Sequence, residues 1–198
     1  MLVLSCFNAL SQKTSSNEPK ASFELTINGK KYELSENEPL KLDTTFSKPT
    51  ISIKMADYKK FDNSGISFQY PKHMSYQFEQ DYGYKLWTFN GNDLVVMLFE
   101  IEAKTTLESL TEELVKKFGK QNCTVTGFQR ELGHKKCAGN KITVTLIGEK
   151  LTIDCYEVKL DDFKSRFIYF QNTLKDGAIQ KESTDGLNTI NSTIKFKG

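Results

Sequence analysis

The chain has 198 residues, enough for one domain of ordinary size or for one domain with an appendage. An apolar content of 38% and an aromatic content of 12% can build a core, while a formal net charge of +2 gives no strong steering toward nucleic acid or acidic lipid. Four cysteines, Cys6, Cys123, Cys137 and Cys155, are too few for a disulfide scaffold.

Met1 to Gln12 (MLVLSCFNALSQ) is apolar and uncharged, and a polar stretch from Lys13 to Lys20 follows it. This is the form of the apolar and cleavage regions of a secretory leader that lacks its basic start. The competing reading is a first strand or helix of the domain. The segment is too short to span a bilayer and shows no period-2 alternation. Cleavage is expected near Ala9 to Gln12, where small residues cluster. Lipidation of Cys6 is the alternative, and Leu4 is a poor residue for it because a small side chain is normal two positions earlier. The protein is therefore expected to be secreted or periplasmic. Without Cys6, three cysteines remain, which allows one disulfide in an oxidising compartment or leaves buried free thiols in strands.

Residues 13–20 (KTSSNEPK) read as a polar linker. Ser22 to Leu34 is a hairpin pattern: Phe23, Leu25 and Ile27 alternate, Asn28-Gly29 is a favoured turn pair, and Tyr32 and Leu34 alternate on the return. Pro39 to Leu42 and Thr50 to Met55 are read as further strands, the second limited by Pro49 to an edge or a strand start. Residues 21–60 thus form a small β-rich preface. From Phe61 the strands are Gly65 to Pro71, Met74 to Phe78, Tyr84 to Phe89 and Asp93 to Ile101. Leu94 to Phe99 is apolar at both parities, which requires cover on both faces. Thr105 to Gly119 is the clearest helix, with Leu107, Leu110, Leu114, Val115 and Phe118 on one face. Thr105 with Glu108 gives its capping pattern, and Gly119 gives its stop. Strands return over Cys123 to Leu132, Lys135 to Ala138, Asn140 to Ile147, Leu151 to Leu160 and Phe163 to Thr173. Ser183 to Ile194 is a short closing helix of weak propensity.

The expected fold class is α+β: a mainly antiparallel sheet with one long amphipathic helix and a short C-terminal helix packed on it, preceded by a small β-hairpin region. Three patterns support a family reading. They are Gly65-Ile66-Ser67-Phe68-Gln69-Tyr70-Pro71, the helix Leu107 to Phe118 after a strong strand, and the closing run Leu187 to Phe196. In this order they resemble the PsbP-like domains, which include the DcrB-type secreted and lipoprotein domains. The resemblance covers residues 61–198 and leaves the preface outside. It implies a mostly non-enzymatic domain that docks on partners, and it carries no functional residue across.

The sequence contains no phosphate loop, dinucleotide fingerprint, nucleophile elbow, zinc helix or calcium loop. The two histidines, His73 and His134, read as loop residues. A zinc cluster or thiol nucleophile built from His134 with Cys123, Cys137 and Cys155 lacks the usual spacing. The acidic pairs Glu112-Glu113 and Asp161-Asp162 read as a solvated helix side and a turn. Asn122-Cys123-Thr124 and Asn191-Ser192-Thr193 match glycosylation sequons. Aromatics concentrate between Tyr76 and Phe89, with Tyr84 and Leu86 facing one way and Trp87 and Phe89 the other. The expected reading is a non-enzyme without cofactor or metal, and without a nucleic-acid partner. It binds an unknown protein or envelope component through a candidate surface of Tyr82, Tyr84, Trp87 and Phe89. The alternative is a small-ligand binder with a pocket between sheet and helix.

Overall fold

The computed structural model describes residues 18–35, 39–161 and 163–197. The leader, with Cys6 and the cleavage region, lies outside the described residues, and the linker is described only from residue 18. The architecture is α+β and sheet-dominated, with antiparallel pairing throughout the strand registers.

Strands β1 (Ser22–Ile27), β2 (Lys30–Ser35) and β3 (Ile51–Met55) form a three-stranded sheet in the order β2-β1-β3. The Asn28-Gly29 turn joins β1 to β2, and both residues have positive φ, the conformation that this turn pair favours. The segment Pro39 to Leu42, expected as a strand, is not one. Strands β2 and β3 flank β1 and are both antiparallel to it, so the connection between them has to pass across β1. The segment is used in that crossing instead of in a ladder.

The chain then builds β4 (Tyr58–Asn63) and β5 (Ile66–Pro71), which with the terminal strand β14 (Lys195–Phe196) make a second small sheet, β14-β5-β4. Strand β4 spans residue 60, the end of the preface as read from the strand pattern. The main sheet contains β6 (Ser75–Asp81), β7 (Tyr84–Asn90), β8 (Leu94–Ile101), β9 (Cys123–Leu132), β10 (Lys135–Leu146), β11 (Glu149–Glu157) and β12 (Ser165–Lys175), with the short β13 (Ala178–Ile179) beside β12. Its order is β6-β7-β8-β12-β11-β10-β9. The two strands read as Lys135 to Ala138 and Asn140 to Ile147 are one long strand, β10.

Helices α1 (Leu107–Phe118) and α2 (Lys181–Thr193) cover opposite faces of the main sheet. The cap of α1 falls one residue later than the sequence pattern puts it. Thr106 is the N-cap and accepts from the Ser109 amide, while the Thr105 amide is bonded to Ser165 Oγ at 2.9 Å. The C-terminal helix is not the shorter of the two: α2 has 13 residues and α1 has 12.

The parity of the strands sorts the core into two. On one face Trp87, Phe89, Leu94, Val96, Leu98, Ile168 and Phe170 pack with Phe61, Ile66, Phe68 and Tyr70 of the β4–β5 pair and with Ile190 and Ile194 of α2. On the other face Leu86, Met97, Ile142, Val144, Ile153, Phe167 and Tyr169 pack under Leu107, Leu110, Leu114, Val115 and Phe118 of α1. Both faces of β8 and β12 are therefore covered, as strands apolar at both parities require.

Candidate functional site

The four aromatic residues proposed as a surface divide according to strand parity. Trp87 is 1% exposed and Phe89 is 0% exposed. The Phe61 ring packs edge-on against both, at centroid distances of 5.8 Å and 5.3 Å. These two residues belong to the core and are removed from the candidate surface. The physical reason is the β4–β5 pair, whose Phe61, Phe68 and Tyr70 lie over that face of β7. Tyr84 is half-buried on the opposite face, where burial and then the charges of Glu79 and Asp81 push its phenol pKa up. Tyr82 alone of the four is fully exposed, at 101% of its reference area.

Tyr82 has a companion that the sequence reading did not single out. Phe163 is 83% exposed in the connection from β11 to β12. Strand registers place the two at one end of the main sheet: Tyr84 and Ser165 both lie opposite Ile101, from β7 and β12 on either side of β8. The loops that carry them are tied down. The Tyr82 amide donates to Asp81 Oδ1 at 2.7 Å, and Gly83 O accepts from the Glu102 amide at 2.8 Å. The Phe163 and Lys164 amides both donate to Asp161 Oδ1, at 2.9 and 3.0 Å.

Beneath this end lies a buried ionic network. Glu100 of β8 and Arg166 of β12 are directly opposite in register, and their side chains are 4% and 8% exposed. Arg166 Nη2 stands 3.3 Å from Glu100 Oε2, and its Nη1 reaches Asp161 Oδ2 at 2.7 Å. Lys164 and Lys85 approach Glu100 Oε1 at 2.8 and 3.6 Å. Ser64, in the turn between β4 and β5, donates to Glu100 Oε2 and accepts from Arg166 Nε at 3.1 Å. Burial pushes the Glu100 carboxyl up. Hydrogen bonds from Lys164 and Ser64, with the charges of Lys164 and Arg166, outweigh burial and hold it below its ordinary value. Asp161 is likewise held low, first by Arg166 and then by the Lys164 and Phe163 amides. Each acid in the network meets cations and donors, so the arrangement is suited to fixing three chain segments together. Its sequence signal was available: Glu100 and Arg166 are charges set inside strands that are otherwise apolar at both parities near them.

The histidines separate to different places. The His73 Nε2 bonds Glu182 Oε1 of α2 at 2.8 Å, and the same carboxylate oxygen accepts from the Asn92 amide at 3.1 Å. His134 lies at the β9–β10 tip and lines an open hollow with Lys135, Leu160, Ile194, Lys195 and Phe196. This hollow is at the C-terminal end of α2, not between α1 and the sheet. Cys123, Cys137 and Cys155 are free thiols, and burial pushes all three up. No cluster of three His, Cys, Asp or Glu among the described residues could hold a metal ion. Both sequon asparagines are engaged: Asn122 Nδ2 donates to Phe118 O at 2.8 Å, and Asn191 Oδ1 accepts from the Gly133 amide at 2.8 Å. No helix among the described residues is long and apolar enough to cross a membrane.

No family model matches the chain, and no curated protein does. Among the solved structures that match, two illustrate a distant likeness. A crystal structure from Bacteroides thetaiotaomicron VPI-5482 aligns with a TM-score of 0.43 at 15% identity, over 72% of this chain and 50% of its own. The structure of LpqN, involved in cell envelope biogenesis of Mycobacterium tuberculosis, aligns with a TM-score of 0.42 at 13% identity, over 71% of this chain and 91% of its own. This chain thus spans half the length of the first and most of the second.

Proposed function

We propose that the chain is an exported, non-enzymatic module of the cell envelope or secretory space that binds a protein partner through the sheet end carrying Tyr82 and Phe163. The observation that carries this reading is the pairing of two solvent-exposed aromatic side chains at one end of a sheet, on loops whose backbone is hydrogen-bonded in place. Single exposed apolar residues are ordinary on protein surfaces. Two aromatics flanking the same strand end, over a buried ionic network, form a preorganised pair of anchors. Aromatic anchors of this kind dominate interface energetics, and a fixed backbone lowers the ordering cost of binding. The export part of the reading rests on the apolar, uncharged composition of Met1 to Gln12.

The direct test compares capture of envelope proteins by the full chain and by its Tyr82→Ala/Phe163→Ala variant. Both changes remove exposed side chains, so stability should stay within about 0.5 kcal/mol of the parent. A stoichiometric partner should be captured by the parent and lost at least ~10-fold in the folded variant, as removal of two hot-spot aromatics predicts. Equal capture by both proteins would remove this end of the sheet from the interface.

A further inference from the structure

The hollow at the β9–β10 tip combines an apolar floor with a basic rim. Its volume is about 500 Å³, and it is lined by Leu160, Ile194 and Phe196 together with His134, Lys135 and Lys195. That volume falls in the range of small-molecule sites. Three separate segments line it, and contacts of Gly133, Lys197 and Gly65 hold them together. Gly133, at φ +62°, presses so close to α2 that a Cβ on it would stand 2.8 Å from Ile194 Cγ2. Its amide donates to Asn191 Oδ1 at 2.8 Å, which ties the hairpin tip to the helix. The Lys197 amide donates to Gly65 O at 2.8 Å, and its ammonium pairs with Asp62 at 2.6 Å, which holds β14 beside the β4–β5 turn. A Cβ on Gly65 would meet Leu160 Cδ1 at 2.9 Å, so the same turn backs the floor.

Among the described residues the two rim ammonium groups, Lys135 and Lys195, have no carboxylate partner, whereas the neighbouring Lys159 and Lys197 have Glu157 and Asp62. Lys135 Nζ donates to Lys159 O and lies 5.6 Å from the centre of the Phe196 ring, so this ammonium is held directly above the floor. An ammonium has three donors, and one carbonyl and a ring face leave capacity for an anionic acceptor. The floor offers aliphatic and aromatic surface.

We infer that this hollow binds a small amphipathic anion, with a carboxylate or phosphate head against Lys135 and Lys195 and an apolar body on Leu160, Ile194 and Phe196. The shared chemistry is an anionic head on an apolar chain. Purely polar anions lack a use for the floor, and neutral apolar molecules leave the rim cations without a partner. This inference is independent of the protein partner, because it uses none of the residues proposed as anchors.

The experiment is an NMR titration of the isotope-labelled full chain with monomeric octanoate, octyl phosphate, octanol and acetate. Octanoate or octyl phosphate should bind with one-to-one stoichiometry and shift the amides of His134, Lys135, Leu160, Lys195 and Phe196. The order of those two ligands identifies the head group. Octanol and acetate should each bind at least ~10-fold more weakly, since each lacks one half of the recognition. A Lys135→Gln/Lys195→Gln variant should lose about 10-fold for the anionic ligands while amide shifts remote from the hollow stay in place. The lysine heads are at the surface, and a second variant, Lys195→Gln alone, keeps the Lys135 contacts and should lose part of the affinity. Octanol binding as tightly as octanoate, shifts dispersed over unrelated exposed residues such as Tyr82 and Ile147, or unchanged affinity in the double variant would overturn the inference.

Discussion

Glu100 shows how one buried residue can fix the sheet end that carries Tyr82 and Phe163. Arg166, Lys164, Lys85 and Ser64 reach it from β12, the β11–β12 connection, β7 and the β4–β5 turn. Replacing Glu100 by Gln keeps the shape and removes the charge that these cations share. A buried pair broken from one side costs about 3 kcal/mol. Since a change of 1 kcal/mol moves the Tm of a chain this size by roughly 2–4 °C, a fall of about 6–12 °C at neutral pH is expected. The pH profile gives a sharper test. The folded carboxyl has a lower pKa than the unfolded one, so the unfolded chain binds the proton first on acidification. The stabilisation is complete above the ordinary Glu value of about 4.3 and is lost as the pH falls through the lower folded value. Denaturant titrations should therefore show a shallower acid loss in Glu100→Gln than in the parent. Parallel profiles would mean that the network contributes nothing linked to Glu100. The presence of an acid and a base beside the apolar runs of these two strands was legible from sequence. Their pairing was not, because β8 and β12 become neighbours only after the intervening helix and the β9–β11 meander are laid aside.

At the level of elements, Gly139 decides the middle of β10. It lies directly opposite Phe128 of β9, and a Cβ there would stand 2.3 Å from the Phe128 ring and 2.5 Å from Cys155 O. The absent side chain lets Phe128 lie over the strand, where its ring meets Tyr156 at 5.0 Å and carries Arg130 at 4.4 Å. Gly139→Ala is expected to cost about 2 kcal/mol by overpacking, despite the usual gain from removing a strand glycine. Adding Phe128→Leu should recover part of that loss, and thermal unfolding of the single and double variants measures both. A Gly139→Ala protein as stable as the parent would show that the ring yields freely. The same glycine explains one departure from the sequence reading, in which β10 was divided at this position. Other departures have similarly local causes. The α1 cap moved from Thr105 to Thr106 because Ser165 claims the Thr105 amide. Pro39 to Leu42 carries strand-like alternation, but the topology requires a crossing there.

For the whole molecule, the legible part was the layering. Strands apolar at both parities required two covers, and α1 supplies one while α2 with the β14-β5-β4 sheet supplies the other. The identity of the second cover was not legible, since the two-residue β14 and the β4–β5 pair meet only after the chain has closed. That cover also explains why the aromatic cluster gave only part of a surface. Trp87 and Phe89 were correctly placed on one face of their strand, but that face is lined by Phe61, Phe68 and Tyr70. The most exposed large apolar side chains among the described residues are Tyr82 and Phe163 at one end of the sheet and Ile147 at the other, in the β10–β11 turn. Tyr82 and Ile147 are equally exposed, at 101% and 104%, so the second serves as an internal control for the first. The most direct measurement places a photo-reactive side chain at residue 82, and separately at residue 147, and irradiates intact cells that express the full chain. The account predicts a crosslink to one protein of the envelope or secretory space from position 82 and none from position 147. Equal crosslinking from both ends, or crosslinks from position 147 alone, would contradict it.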